Sequence, residues 1–307
     1  MFKNRHKGIV CTLLIILSFS MIFNSGCATK NPENNGKVSV YTSFYVMYDL
    51  TKKIGGDKIN LENLVPAGVE PHDWEPAPSD MISLEKADLF VYNGAGMEGW
   101  ADKVLGSISN KKLVVVEASK GITLTKSKDK NEDLAHDPHV WLNPINAKKE
   151  MENIKNALVN ADPANKNYYE NNYEKYLKEF DLLDKEYKDM VSKITKKDIV
   201  VAHEAFGYLC NAYGLNQVAI EGLNAESEPS PGRMAEIVDF VKKNKVKYIF
   251  FEELVSPKVA QVIAKESGAK TSVLNPLEGL MEEDINQGKE YFSVMRDNLS
   301  ALREALK

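Results

Sequence analysis

The sequence predicts an α/β fold of two lobes, each built on a mainly parallel sheet and joined by one long rigid helix. Three observations predict it. From residue 38 onward short apolar runs alternate with amphipathic stretches, the order expected of βα units whose strands are buried on both faces. The runs fall into two blocks of four. Between the blocks lies a single helical stripe with no Gly and no Pro after its first residue.

In the first block VSVYT, INLENLV, DLFVYNG and KLVVVEA read as strands; in the second, DIVVAH, QVAIEG, KYIFFEE and TSVLN. Amphipathic helices are predicted for SFYVMYDLTKKI, PINAKKEMENIKNALVNA, PGRMAEIVDFVKKN, SPKVAQVIAKESG and YFSVMRDNLSALREALK. The dividing stripe runs through Tyr169, Tyr173, Tyr176, Phe180, Leu183, Tyr187 and Met190, spaced alternately four and three. Asp162 is placed as its N-cap and Pro163 in its first turn. At 1.5 Å per residue it makes a rod of about 45 Å, too long for one layer of a small domain and suited to joining two lobes. The expected division is 38–162 for the first lobe, 163–194 for the linking helix and 195–307 for the second lobe.

Residues 1–26 read as an export signal. MFKNRHKG is basic, and IVCTLLIILSFSMIF has the length of a signal core rather than of a spanning helix. The run ends in NSGC, so Cys27 is expected to carry a lipid, although Asn24 stands where such signals usually have an aliphatic residue. The polar stretch 27–37 then serves as a tether. Lys3, Arg5 and Lys7 leave with the signal and no acid does, which takes the formal charge from −5 to −8. Such a chain repels nucleic acid. Cys11 leaves as well and Cys27 is acylated, so Cys210 stands alone and neither a disulfide nor a cysteine-rich metal site is expected.

Three of the five histidines carry the chemistry. His6 belongs to the signal, and His136 lies in a charged stretch and is expected in solvent. His72 in EPHDWEP, His139 in DPHVWLNP and His203 in VVAHEAFGYL sit at strand ends or in proline-bounded turns, where ligand-binding loops of α/β sheets converge. Zinc takes imidazole nitrogens and carboxylate oxygens, usually four in a tetrahedron. Two places offer the fourth: Glu252 or Glu253 at the end of KYIFFEE, and Glu278 in NPLEGL.

GVEPHDWEPAPSD, DPHVWLNP, HEAFGYL, ESEPSPGRMAEIVDFVKK and LNPLEGL followed by YFSVMRDNL together resemble the metal-specific solute-binding lipoproteins of ABC importers, most of all their zinc group. The resemblance covers nearly the whole chain beyond the signal. It implies a metal site in the interlobe cleft, with His72 and His139 from the first lobe and His203 and Glu278 from the second. It also implies zinc as transported cargo, a permease and its ATPase as partners, a monomer, and a lipid-anchored place on the outer face of the cytoplasmic membrane. Manganese members carry a carboxylate where this chain has His203, and three imidazoles suit zinc better than that harder ion. The histidine-rich loop of many zinc members is absent, since the matching stretch holds only His136.

Three other readings compete. One is a manganese-binding member with an adhesin-like role. GAGMEG, residues 94–99, fits the dinucleotide pattern G-x-G-x-x-G after a strand, with Glu117 near the end of the next strand. A secreted zinc hydrolase would use the three histidines with Glu204 as general base, but the H-E-x-x-H spacing fails at Gly207. A fourth protein ligand would close the site to substrate, so no enzyme is expected. Pro71, Pro76 and Pro78 are expected to hold His72 stiffly, and Trp74 and Trp141 to pack beneath the two ligand loops.

Overall fold

Near-continuous apolar runs have no polar face to offer solvent, and here they pair in parallel. The computed structural model describes residues 36–127, 134–225 and 228–307. In the first sheet β1 (Val38–Thr42), β2 (Ile59–Asn63), β3 (Leu89–Tyr92) and β4 (Val114–Glu117) stand in the order β2-β1-β3-β4. In the second, β5 (Asp198–Val201), β6 (Asn216–Ala219), β7 (Tyr248–Phe251) and β8 (Lys270–Val273) repeat that order as β6-β5-β7-β8. Every pairing is parallel. The order in which strands are added reverses in each sheet between β1 and β3 and between β5 and β7, where such sheets hold ligands at their carboxyl ends. All eight predicted strands form. Cys27 and the signal lie outside the described residues.

Helices cover the sheets: α1 (Tyr45–Gly55), α2 (Pro78–Lys86), α3 (Ala101–Ser107) and α4 (Pro144–Ala161) in the first half, then the rod α5 (Lys166–Val191). The second half follows with α6 (Gly207–Tyr213), α7 (Pro231–Asn244), α8 (Lys258–Ser267), α9 (Glu282–Asn286) and α10 (Tyr291–Ala305). The rod starts later than its stripe suggested. Pro163–Asn165 form a 3-10 turn, and Asp162 does not cap the helix but accepts from Asn165 Nδ2 and the Tyr169 hydroxyl, both at 2.7 Å. The N-cap is Asn165, and 26 residues give a rod of roughly 39 Å.

The stripe does what its spacing implied. Tyr169, Phe180, Leu183, Tyr187 and Met190 are buried, each contributing about 1.5–3 kcal/mol. They join one core cluster that takes in Leu50, Ile154, Phe206, Tyr291 and Leu299 from both halves. Tyr187 also donates to the Met295 carbonyl at 2.8 Å. Val38–Lys307 thus form one compact unit.

Two acids are buried in the first half, Glu98 in the turn after β3 and Glu150 in α4. Glu98 accepts the backbone N–H groups of Asn93 and Gly94 at 2.8 and 2.9 Å, yet burial pushes its carboxyl up to about 7. Neither Glu150 oxygen has a hydrogen-bond partner, and burial, then the nearby Glu98 charge, pushes it well above the usual range. Both acids hold protons in the folded state that the unfolded chain releases above about 4.5. Their contribution is therefore fully present below that pH and is lost as pH rises toward about 7 and beyond. Thermal unfolding of metal-free protein should show stability falling from about pH 5 to about pH 8, and a shallower fall in Glu150→Gln. An unchanged slope in the variant would mean that Glu150 carries no linked proton.

Candidate metal centre

The candidate ligands come from loops that follow strands, and each is fixed by its own neighbours. His72 lies in the loop after β2, closed by the Trp74 N–H donating to the Pro71 carbonyl and by Pro78 opening α2. His139 lies just before a 3-10 turn, Val140–Leu142. Both sit in the same local pattern, acid–Pro–His–x–Trp. Glu70 accepts the His72 backbone N–H at 3.0 and 3.1 Å, and Asp137 accepts that of His139 at 2.9 Å. An acid two residues ahead thus holds the backbone of each histidine. His203 follows β5 at the second sheet's reversal point, Glu252 follows β7, and Glu278 comes from the loop after β8.

The structure brings His72, His139, His203 and Glu278 into one cluster. His139 Nε2 lies 3.3 Å from His72 Nε2 and 3.4 Å from His203 Nε2. Glu278 Oε1 lies 3.4 Å from His72, 3.3 Å from His203 and 2.8 Å from His139, at Nε2 in each case. A tetrahedron with bonds of about 2.0–2.1 Å has edges of roughly 3.3–3.4 Å. Four of these five spacings match it. His139 and His203 are completely buried and Glu278 is 1 % exposed, so the four atoms converge in a site closed to bulk water.

Two further carboxylates stand behind the rings. Asp137 Oδ1 is 2.8 Å from His139 Nδ1, and Glu252 Oε1 hydrogen-bonds His203 Nδ1. An Nδ1–H donating backwards leaves Nε2 with its lone pair facing the cluster, the tautomer that metal binding needs. Electrostatics follow this arrangement. Burial works against charge on His139, but hydrogen bonds to Asp137 and Glu278 outweigh it and lift the ring to about 9. Burial opposes charge on His203 too, and Glu252 and Glu278 lift it well above the ordinary value. On His72 burial wins and the ring is lowered. Burial would raise Glu278, but His203 and His72 hold it well below the usual range.

Of the alternatives for a fourth carboxylate, only Glu278 joins the cluster. Glu252 serves His203 from the far side, and Glu253 accepts from Asn275 Nδ2 at 3.0 Å. His136 is half-buried rather than solvated, in an isolated bridge between residues 126 and 136, and stands apart from the cluster. Glu204 stays outside as well, lining a cavity of about 220 Å³ with Asp137, Gly207 and Cys210. Sequence reasoning missed Asp137 and Glu252 as supports. The repeated acid–Pro–His pattern could have exposed the first; nothing local marks the second.

A family model described as "Zinc-uptake complex component A periplasmic" matches residues 40–305. The chain belongs to that family. It is 42% identical to the high-affinity zinc uptake system protein ZnuA of Bacillus subtilis, over 100% of this chain and 99% of that protein. It is 40% identical to the zinc-binding lipoprotein AdcA of Streptococcus pneumoniae over 95% of this chain, and spans 60% of that longer relative. Among solved structures, the Zn(II)-bound ZnuA-like domain of that AdcA superposes with a TM-score of 0.78 at 42% identity. The match covers 88% of this chain and 99% of the domain.

Within this family member GAGMEG has a structural role. Gly94 and Gly96 have φ of 79° and 95°, and a Cβ on Gly94 would meet the Glu117 side chain at 2.5 Å. The Asn93 and Gly94 N–H groups, which lie at the start of a turn where a pyrophosphate would need donors, are taken by the Glu98 carboxylate. Trp74 packs edge-on against Trp100, with centroids 5.5 Å apart.

Proposed function

We propose that this protein captures zinc outside the cytoplasmic membrane, at His72, His139, His203 and Glu278, and delivers it to an ABC permease driven by its ATPase. One observation carries the reading: three imidazole nitrogens and one carboxylate oxygen converge at tetrahedral spacing in a closed site. Residues 38–162 and 195–307 act as the two lobes and 163–194 as their link. The protein works as a monomer, held at the membrane by a lipid on Cys27. Zinc is favoured over manganese because His203 supplies nitrogen where a harder ion would prefer oxygen. Four protein ligands leave no open position for a substrate or an activated water, which speaks against hydrolysis.

The test is metal analysis of the purified protein, followed by competition with a chromophoric chelator at neutral pH. We expect one zinc per chain and manganese weaker by at least about a hundredfold. Glu278→Ala should weaken zinc, whereas Glu204→Gln should leave it unchanged, and neither variant nor the parent should turn over peptide or amide substrates. Stoichiometric manganese that zinc cannot displace would sink the assignment.

A further inference from the structure

We propose that Trp141 is a positioning residue that sets the spacing between His139 and Glu278 across the two halves of the molecule. This role rests on the zinc-capture reading of the site. Trp141 is fully buried, and its indole N–H donates to the Pro276 carbonyl at 2.7 Å. The two residues are 135 apart in sequence. Trp141 stands two residues after His139, and Pro276 two residues before Glu278. The indole bond and the 2.8 Å contact between His139 and Glu278 therefore close a small ring that contains both ligands.

Each side of that ring is anchored again, and by the same helix. The Tyr291 hydroxyl of α10 donates to the Trp141 carbonyl at 2.7 Å, while Phe44 meets the indole edge-on at 5.1 Å. On the other side Leu277 holds φ at 63°, a left-handed conformation that a residue other than glycine keeps only where its surroundings over-determine it. Its N–H donates to Asn275 Oδ1 at 2.7 Å. Asn275 in turn exchanges two hydrogen bonds with Asn298 of α10, at 2.8 and 2.7 Å. Glu278 is thus aimed by backbone geometry, and Trp141 ties that geometry to the His139 loop.

A ring held this tightly resists being opened. Of the five ligand spacings, the one inside the ring is the shortest, at 2.8 Å against 3.3–3.4 Å for the others. Zinc must open this contact to the roughly 3.3–3.4 Å of its tetrahedral edge, and a larger ion must open it further and so stretch the indole bond more. Trp141 accordingly contributes to selectivity as well as to affinity.

Two variants test this: Trp141→Phe, and benzothienylalanine at position 141, which replaces the N–H by sulfur and keeps the ring shape if phenylalanine proves too small to fold. Zinc and manganese affinities are measured for the parent and both variants, and NMR follows exchange of the Trp141 indole proton in zinc-free parent protein. We expect that proton to be strongly protected, zinc affinity to fall about tenfold in the variants, and manganese affinity to fall less, so that selectivity narrows. Parent-like zinc affinity and selectivity in a folded variant, or an indole proton that exchanges as freely as an exposed one, would overturn the role of Trp141 alone. A parent protein that takes up no zinc would overturn the zinc reading and this role with it.

Discussion

Replacing His203 by alanine should cost the protein more zinc affinity than replacing Glu278, and more than any change outside the cluster. Closed four-ligand zinc sites are worth about 10–16 kcal/mol, so one ligand carries about 3–4 kcal/mol, or a loss of roughly 10²–10³-fold. At this position more is lost than a bond. Glu252 is 3 % exposed and hydrogen-bonds the His203 ring, so the variant strands a carboxylate in the interior. Glu278 loses the foremost of the neighbours that hold it ionised. Chelator competition on His203→Ala should show the large drop, beside a lowered melting temperature in the metal-free form. Glu278→Ala should lose less, because three imidazoles remain and water can complete the sphere. Equal losses in the two variants would mean that the second half does not grip the ion through His203.

The strands were legible because parallel strands packed inside a fold are apolar along most of their length, as in YIFF at 248–251, where Ile249 and Phe250 are buried; the run VVV at 114–116 reads the same way although Val114 and Val115 lie exposed at the sheet's edge. The rod was legible because its stripe holds one phase from Tyr169 to Met190. Its start was not, since Asp162 reads as a cap but spends its carboxylate on Asn165 and Tyr169. Local pattern cannot say which of two equivalent partners a side chain takes.

The candidate site divides in the same way. Strand ends and proline turns pointed to His72, His139 and His203, because position along the chain fixes which end of the sheet a residue meets. Between Glu252, Glu253 and Glu278 the residues alone left the choice open. It turns on which way successive side chains point after β7: Glu252 faces His203, and Glu253 faces Asn275. Two of the contacts that tune the site join residues 49 and 135 apart, Glu252 with His203 and Trp141 with Pro276. Such pairs leave no periodicity behind. They come from how two sheets and one helix pack, and they could be seen only once the chain was folded.

Zinc affinity should climb with pH well past the range of ordinary histidine. Free imidazole titrates near about 6.5, so a site of unperturbed histidines would stop gaining above about pH 7.5. Here the carboxylates behind the rings change the window. Asp137 and Glu278 lift His139 to about 9, and Glu252 and Glu278 lift His203 as well. Without metal both rings hold protons at neutral pH, whereas His72, lowered by burial, holds none. Coordination at Nε2 must displace those protons, so binding is weakened below the raised values and recovers as pH passes through them. Calorimetry in buffers of different ionisation enthalpy at about pH 7.4 should find between one and two protons released per zinc. The logarithm of the affinity should rise with a slope above one from about pH 6 and keep rising to at least about pH 9. The same two carboxylates that cost affinity at neutral pH keep each Nε2 aimed at the cluster, so Glu252→Gln should flatten the slope while also weakening binding at high pH. Release of no protons at pH 7.4 would mean that the rings are neutral before metal arrives, and that Asp137 and Glu252 orient them without charging them.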